Sequence, residues 1–264
     1  ARAGMQSGDL IVEVDGKPIK GLSLAQAVRR MRGRPGVAID LLVRRGGQPD
    51  FNIQIIRAII KVRAVRWQTI DRFAYIRVSR FSERVQTGIA QAFSDIRKDL
   101  GGAPLGVILD LRNNPGGLLT QAVKISDFFL DDGEIVSTRG RKKRENRKFF
   151  AKKGDKIEGK PLIILINNGS ASAAEIVAGS LQDQKRAILL GEKTFGKGSV
   201  QSIIPLSDGG GIRLTVSKYY LPSGNSISEV GVEPDIFIEE DEKNFEIDSK
   251  LDNQLNYAVN LLTI

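Results

Sequence analysis

The sequence predicts an α/β (α+β) core over residues 59–264, preceded by a smaller β-rich unit over residues 1–58. Three observations predict it. Apolar runs of strand length, such as Gly106–Leu111 and Leu162–Ile166, alternate with stretches of helical periodicity in the larger part. The first 58 residues instead carry two-residue alternation, turn dipeptides and a single short helical pattern. The chain has 264 residues, 41% hydrophobic and 27% charged, which suits a globular protein able to bury a substantial core. No apolar run approaches the ~20 residues of a membrane-spanning helix. Ala1 does not look like a native start, so an export signal is expected upstream of it.

In the first unit, Gly8-Asp9 leads into an alternating strand, Leu10–Val14, and Asp15-Gly16 turns the chain. Ser23-Leu24-Ala25-Gln26 reads as a helix capping box, followed by apolar residues Leu24, Ala27, Val28 and Met31. Arg34-Pro35-Gly36 ends the helix. Strands near Val37–Val43 and Phe51–Ile55 flank a Gly46-Gly47 turn. In the second unit, Ala74–Val78 reads as a strand, and Ser82 is expected to cap a helix running to Leu100 and closed by Gly101-Gly102. The Gly106–Leu111 strand ends in RNNPGG, and a helix follows at Thr120–Phe129. A buried strand at Leu162–Ile166 precedes a helix at Ala173–Gln184. Ile188–Leu190, Val200–Leu206 and Ile212–Tyr220 read as strands. Leu251, Leu255, Val259 and Leu262 give a last helix within Asp248–Leu262.

Two zeros restrict the chemistry. Without cysteine there is no disulfide, thiolate nucleophile or thiolate metal site. Without histidine the usual general base and the commonest zinc ligand are missing. Acid–base work falls to Asp, Glu, Lys or Tyr, and neither a metal nor a cofactor is expected. The formal charge is +9, and part of the excess lies in Arg139–Lys148, RGRKKRENRK. No aromatic stacking pattern or recognition motif accompanies this run. A solvated hairpin is therefore expected there, and no nucleic-acid partner.

Two segments carry candidate chemistry. In PLIILINNGSASAAEIVAGSLQDQ (161–184) a buried strand, a tight turn and a helix meet at Ser170 and Ser172. Such a junction lifts a hydroxyl above the sheet at a helix N-terminus, where free N–H groups favour negative charge. A plain helix cap is the competing reading for either serine. In GEKTFGKGSVQSIIPL (191–206), Lys197 lies between two glycines, beside the apolar alternation of Val200, Ile203 and Ile204. Ser–Lys pairs are a known alternative to the histidine triad, provided that burial keeps the amine neutral. Ser199 and Gln201 follow Lys197 at strand spacing, so Gln201 can orient it. The string Gly191–Gly198 also approaches a phosphate-binding loop, but it lacks the Ser or Thr after the lysine and leads into a strand.

Taken together, LDLRNNPGG (109–117), NNGSASAAEI (167–176), GEKTFGKGSVQ (191–201) and GMQSGDLIVEVDGKPI (4–19) resemble the carboxyl-terminal processing peptidases, the tail-specific serine protease family. The resemblance covers nearly the whole chain. It implies that residues 1–58 are a partial PDZ-like domain lacking its carboxylate-binding loop, and that the core resembles the crotonase-like fold. By register it implies Ser172 rather than Ser170 as nucleophile, Lys197 as base and Gln201 as its orienting partner. Oxyanion donors are implied at Ala173 and in the PGG turn, Gly117 ahead of Gly116. Asp183 matches an acidic residue that the family is described as using in a relay. At roughly three helical turns it should lie ~16 Å from Ser172, so a structural contact near Lys185 or Arg186 is expected instead.

The family further implies protein or peptide substrates with apolar C-terminal tails, an exported and periplasmic location, and no cofactor, with a homo-oligomer left open. Two rival readings remain: a PDZ-type peptide-binding scaffold with an inactive core, and an acyl-CoA enzyme suggested by fold alone.

Overall fold

A computed structural model describes residues 3–5, 9–59, 63–141, 143–206, 210–241, 247 and 251–263. Gly8, Ser7, Gln6, Lys142 and residues 248–250, on which parts of the expectations above rest, lie outside the described residues. The chain divides into two compact units, Ala1–Val62 and Arg63–Ile264.

The first unit is a four-stranded antiparallel sheet with one helix. Its elements are β1 (Leu10–Val14), β2 (Lys17–Pro18), α1 (Leu24–Met31), β3 (Ala38–Arg44) and β4 (Phe51–Ile56), and the strand order is β2-β1-β3-β4. Alternation along β3 buries Ile39, Leu41 and Val43 against Val14 and Ile53. The capping box is real: Gln26 N–H donates to Ser23 Oγ at 3.3 Å, and Ser23 N–H to Gln26 Oε1 at 2.8 Å. Leu24, expected on the apolar face, is exposed, because at the first helical position its side chain lies beyond the stripe formed by Ala27, Val28 and Met31.

The second unit opens with β5 (Val65–Ile70), β6 (Phe73–Val78), α2 (Val85–Leu100), β7 (Val107–Asp110) and α3 (Leu119–Phe129). β8 (Glu134–Gly140), a short 3₁₀ turn at Lys143–Glu145, β9 (Arg147–Phe150), β10 (Leu162–Ile166), α4 (Ala173–Asp183) and β11 (Ile188–Gly191) follow. β12 (Ser199–Pro205), β13 (Gly211–Tyr220), β14 (Ile236–Phe237) and α5 (Asn253–Thr263) complete it. A six-stranded sheet, ordered β14-β11-β10-β7-β6-β5, is parallel except for β5, which pairs antiparallel with β6 at the edge.

Both faces of this sheet are covered, which explains the unbroken apolar runs. Leu162, Ile164 and Ile166 of β10 join the core under α2, α3 and α4, while Ile163 and Leu165 face Leu255 and Ala258 of α5. A second, antiparallel sheet has the order β12-β13-β8-β9. Its β8–β9 hairpin carries the basic run as a solvated turn, as expected for the described residues.

Several elements differ from expectation: α5 begins at Asn253, so Leu251 lies in the turn before it and is exposed. Ser82 does not cap α2: the helix begins after Arg84, and Ser82 instead forms the preceding turn, its carbonyl accepting from Val85 N–H at 3.1 Å. Strand β5 was not expected, because its three apolar residues are spaced by Arg66 and Gln68 on an edge strand that tolerates polar side chains.

The adjacent parallel strands β7, β10 and β11 all end on the same edge of the sheet. The loops that leave them hold RNNPGG, Ser172 and Lys197 respectively. Parallel α/β sheets collect their functional loops at this edge.

Candidate active site

Ser172 is the residue immediately before α4, and its backbone takes φ 56° and ψ −112°. A left-handed φ on a side-chain-bearing residue costs about 1–3 kcal/mol and persists only where surroundings over-determine it. Here they do. Ser172 N–H donates to Glu175 Oε2 at 2.7 Å, Ala171 N–H to Asn114 O at 2.9 Å, and Phe195 N–H to Ser170 O at 3.0 Å. The turn is thus tied to both neighbouring loops.

The two candidate serines differ sharply. Ser170 is fully buried, and its hydroxyl donates to Leu111 O at 2.8 Å and accepts from Asn167 N–H at 3.1 Å. Ser172 is half-buried and lines a cavity of about 400 Å³. Lys197, Gln201 and Gly117 line the same cavity, so the structure brings together four of the sequence-predicted site residues. Arg80, Pro115, Gly116, Ser199 and Tyr219 complete the wall.

The RNNPGG loop is built around Asn114. Its side-chain amide donates to Val78 O at 2.7 Å, and its Oδ1 accepts from Gly116 N–H at 2.9 Å. Gly116 N–H is therefore occupied, whereas among the described residues nothing accepts from the N–H of Gly117 or of Ala173. Gly116 has φ +94°, and a Cβ there would stand 2.6 Å from Ala171 O, 2.8 Å from Ser172 Cβ and 2.9 Å from Ala173 N. Only glycine lets this loop lie against the serine turn.

Behind the loop is a buried charge network. Arg112 is fully buried and forms paired hydrogen bonds to Asp110 (3.0 and 2.7 Å) and Asp252 (2.8 and 2.6 Å). Burial alone would lower the Arg112 pKa, but its bonds to Asp252 and Asp110 raise it, so the guanidinium stays charged. Burial alone would likewise raise the Asp110 pKa. The Arg112 charge and hydrogen bonds, with help from Arg77 and Tyr75, hold it below the usual carboxylate range. Asp252 also accepts from Leu255 N–H at 2.9 Å, so the start of α5 is locked to the start of RNNPGG.

Lys197 departs from expectation. It is exposed rather than buried, because it lies in the open loop before β12 and not on the strand itself. No hydrogen bond joins Ser172 Oγ and Lys197 Nζ. A bulge opposite Val200 and Gln201 puts its extra residue, Val216, on β13, and Ser199 and Gln201 of β12 both reach the cavity. The lysine loop is fixed through its backbone: Lys197 N–H donates to Glu175 Oε2 at 2.8 Å, and Gly196 N–H to Glu175 Oε1 at 2.7 Å.

Glu175 is thus the hub that the sequence reading missed. Fully buried, it also accepts from Thr194 Oγ1 at 2.6 Å, so one carboxylate ties the serine turn to the lysine loop. Its signal was the spacing Ser172-x-x-Glu175 at a helix start. Tyr219 was missed as well. Buried beside the cavity, its phenol is pushed up in pKa by desolvation and stays neutral.

Asp183 lies at the far end of α4, away from the cavity lining. Its contact is not with Lys185 or Arg186: its Oδ2 accepts from Ser223 N–H at 2.8 Å. Arg186 turns instead to Asp155 and to the carbonyls of Phe129 and Lys160. Among the described residues no cluster of Asp and Glu has the spacing to hold a metal ion.

An α+β core with a strained serine turn beside a backbone-donor loop, following a β-rich PDZ-like region, is the build of a PDZ-bearing peptidase. Residues 72–238 match Peptidase family S41 and residues 1–45 match the PDZ domain; the chain belongs to Peptidase family S41.

It is 49% identical over 242 residues to a carboxy-terminal-processing protease of Bartonella bacilliformis, covering 91% of this chain and 56% of that protein. With a carboxyl-terminal-processing protease of Synechocystis it shares 40% identity over 268 residues, 99% of this chain and 62% of the relative. The chain therefore spans about 56 to 62% of the length of these relatives. Among solved structures, a photosystem II D1 C-terminal processing protease superposes with a TM-score of 0.66 at 32% identity, over 94% of this chain and 66% of the other.

Proposed function

We propose that the chain is a serine endopeptidase that cleaves protein substrates near their C-termini through an acyl-enzyme on Ser172. The observation that carries this reading is that Ser172, Lys197, Gln201 and Gly117 line one cavity beside a serine turn held at a strained φ. Membership of Peptidase family S41 supports it, as do relatives named for carboxyl-terminal processing.

Ser172 Oγ attacks the scissile carbonyl carbon while neutral Lys197 Nζ takes its proton. The carbonyl oxygen gains negative charge, which the N–H groups of Ala173 and Gly117 stabilise. Collapse of the adduct breaks the C–N bond, and Lys197 returns the proton to the departing amine. Lys197 then deprotonates a water, which attacks the ester carbonyl; the C–Oγ bond breaks and Lys197 returns the proton to Ser172 Oγ. Gln201 orients the lysine.

Lys197 is exposed, so a bound peptide completes its desolvation, and catalytic hydrogen bonds tighten as substrate binds. The open lysine loop also favours a resting form that substrate closes. We read the core as crotonase-like, the substrate tails as apolar, and the protein as exported to the periplasm, with Asp183 structural rather than catalytic.

Ser172→Ala and Lys197→Ala should each abolish cleavage of a denatured protein, measured by gel and mass spectrometry. Undiminished cleavage by either variant sinks the assignment. Peptide binding with no turnover by the unaltered chain would favour a scaffold with an inactive core.

A further inference from the structure

The cavity that holds Ser172 carries two cationic side chains, Arg80 and Lys197, and among the described residues no carboxylate lines it. In the proposed mechanism Lys197 works as a neutral base, which leaves Arg80 as the permanent cation of the site. Arg80 is fixed beside the oxyanion loop by its neighbour. Phe81 forms a parallel bridge with Gly117: Phe81 N–H donates to Gly116 O at 2.9 Å, and Leu118 N–H donates to Phe81 O at 2.8 Å. The Phe81 side chain is buried in the core. Successive side chains of extended backbone face opposite ways, so Arg80 is turned outward to the cavity wall.

Three guanidinium groups of this unit are held by carboxylates. Arg77 and Arg112 bond to Asp110, and Arg186 bonds to Asp155. Arg80 has no ion pair or side-chain hydrogen bond among the described residues. An exposed arginine is ordinarily just solvated. This one instead lines a concave, mainly polar cavity and is strapped to the backbone that meets the scissile bond.

We infer that Arg80 is a specificity-determining residue that recognises a carboxylate of the substrate bound next to Ser172. The inference rests on the peptidase reading. A guanidinium fork matches a carboxylate with two parallel hydrogen bonds, whether the group is an Asp or Glu side chain near the scissile bond or the substrate's own C-terminal carboxylate. The same charge repels lysine or arginine at that subsite.

The test takes one cleaved peptide and varies each position flanking the scissile bond among Gln, Glu and Lys, with the series made as free acids and as C-terminal amides. For the unaltered chain, kcat/KM should favour Glu over Gln at one position, or acid over amide, by roughly ten- to a hundredfold. Lys should fall below Gln, and the preference should shrink as salt rises. Arg80→Gln should bring the ratio to about one, Arg80→Lys should keep part of it, and Arg80→Glu should invert it towards Lys. Which series responds separates a side-chain carboxylate from a terminal one.

Cleavage of the Gln amides by the unaltered chain and not by Ser172→Ala secures the peptidase reading independently of the ratio. With that secured, ratios near one throughout the series overturn the inference, as does a preference that survives in Arg80→Gln. No cleavage of any peptide overturns both.

Discussion

Ser172 and Lys197 reach the same cavity from loops of very different construction. The serine turn is enclosed: Ser170 is buried and doubly bonded, Ala171 is bonded to the oxyanion loop, and Ser172 N–H is held by Glu175. The lysine loop is pinned through its backbone, by the N–H groups of Phe195, Gly196 and Lys197 and the carbonyls of Gly196 and Gly198, and through Thr194, while the lysine side chain is exposed. The serine half of the site is therefore preorganised, and the Lys197 side chain keeps its freedom. Preorganised donors cost no rearrangement in the transition state, whereas a base that needs to be neutral depends on water being excluded. Under the mechanism proposed above, a site so divided keeps its oxyanion donors assembled without holding a fully activated serine between substrates.

The strongest way to break the enclosed half is Gly117→Ala. Gly117 has φ +146°, and a Cβ there would collide with Phe81 O, so the loop must shift and carry its N–H away from the serine. Loss of one oxyanion donor typically costs ~10²–10³ in kcat, and KM should change little because the cavity walls remain. Steady-state kinetics on a cleaved peptide measure this. A kcat within a few-fold of the unaltered chain would exclude Gly117 as a donor.

Glu175→Gln attacks both halves together. The carboxylate accepts four hydrogen bonds, two at each oxygen, and an amide keeps only one accepting end. Either Ser172 and Lys197 or Thr194 and Gly196 then face an N–H₂ group. Kcat should fall by about a hundredfold from lost alignment. The fold should lose roughly 1–3 kcal/mol for each donor left buried and unpaired, read as a lower thermal midpoint. Equal loss in Thr194→Val, with the Lys197 link kept, would shift the weight to the loop's anchor rather than its lysine end.

The same contrast shows what could be read from residues alone. Strands β7 and β10 were legible because parallel strands buried on both faces leave unbroken apolar runs, and Ser172 was legible because a strand–turn–helix junction has a short, small-residue signature. Glu175 was hidden because its partners are backbone N–H groups of a loop that is distant in sequence, and a backbone donor has no residue type to recognise. The exposure of Lys197 was hidden for a related reason. Apolar alternation in Val200–Ile204 suggested a shielding strand, but β12 begins two residues after the lysine. Arg112 and Asp252 meet across the whole second unit, a pairing that no local spacing predicts.

Asp183→Ala should give the smallest effect, and it sharpens the boundary of the site. Asp183 ends α4, and among the described residues its carboxylate accepts only from the Ser223 backbone N–H in the turn after β13. Losing an exposed hydrogen bond to a charged acceptor should cost about 1 kcal/mol of stability or less, seen as a modest fall in the denaturation midpoint. Tyr219, one of the cavity residues, lies four positions before Ser223 on the same connection, so a small rise in KM is the expected kinetic trace. The pH dependence of kcat/KM should be unchanged. A relay group instead would alter the pH profile and depress kcat by two or more orders of magnitude, as general acid–base residues do. That result would return Asp183 to the catalytic machinery and would require α4 to transmit its effect along its full length.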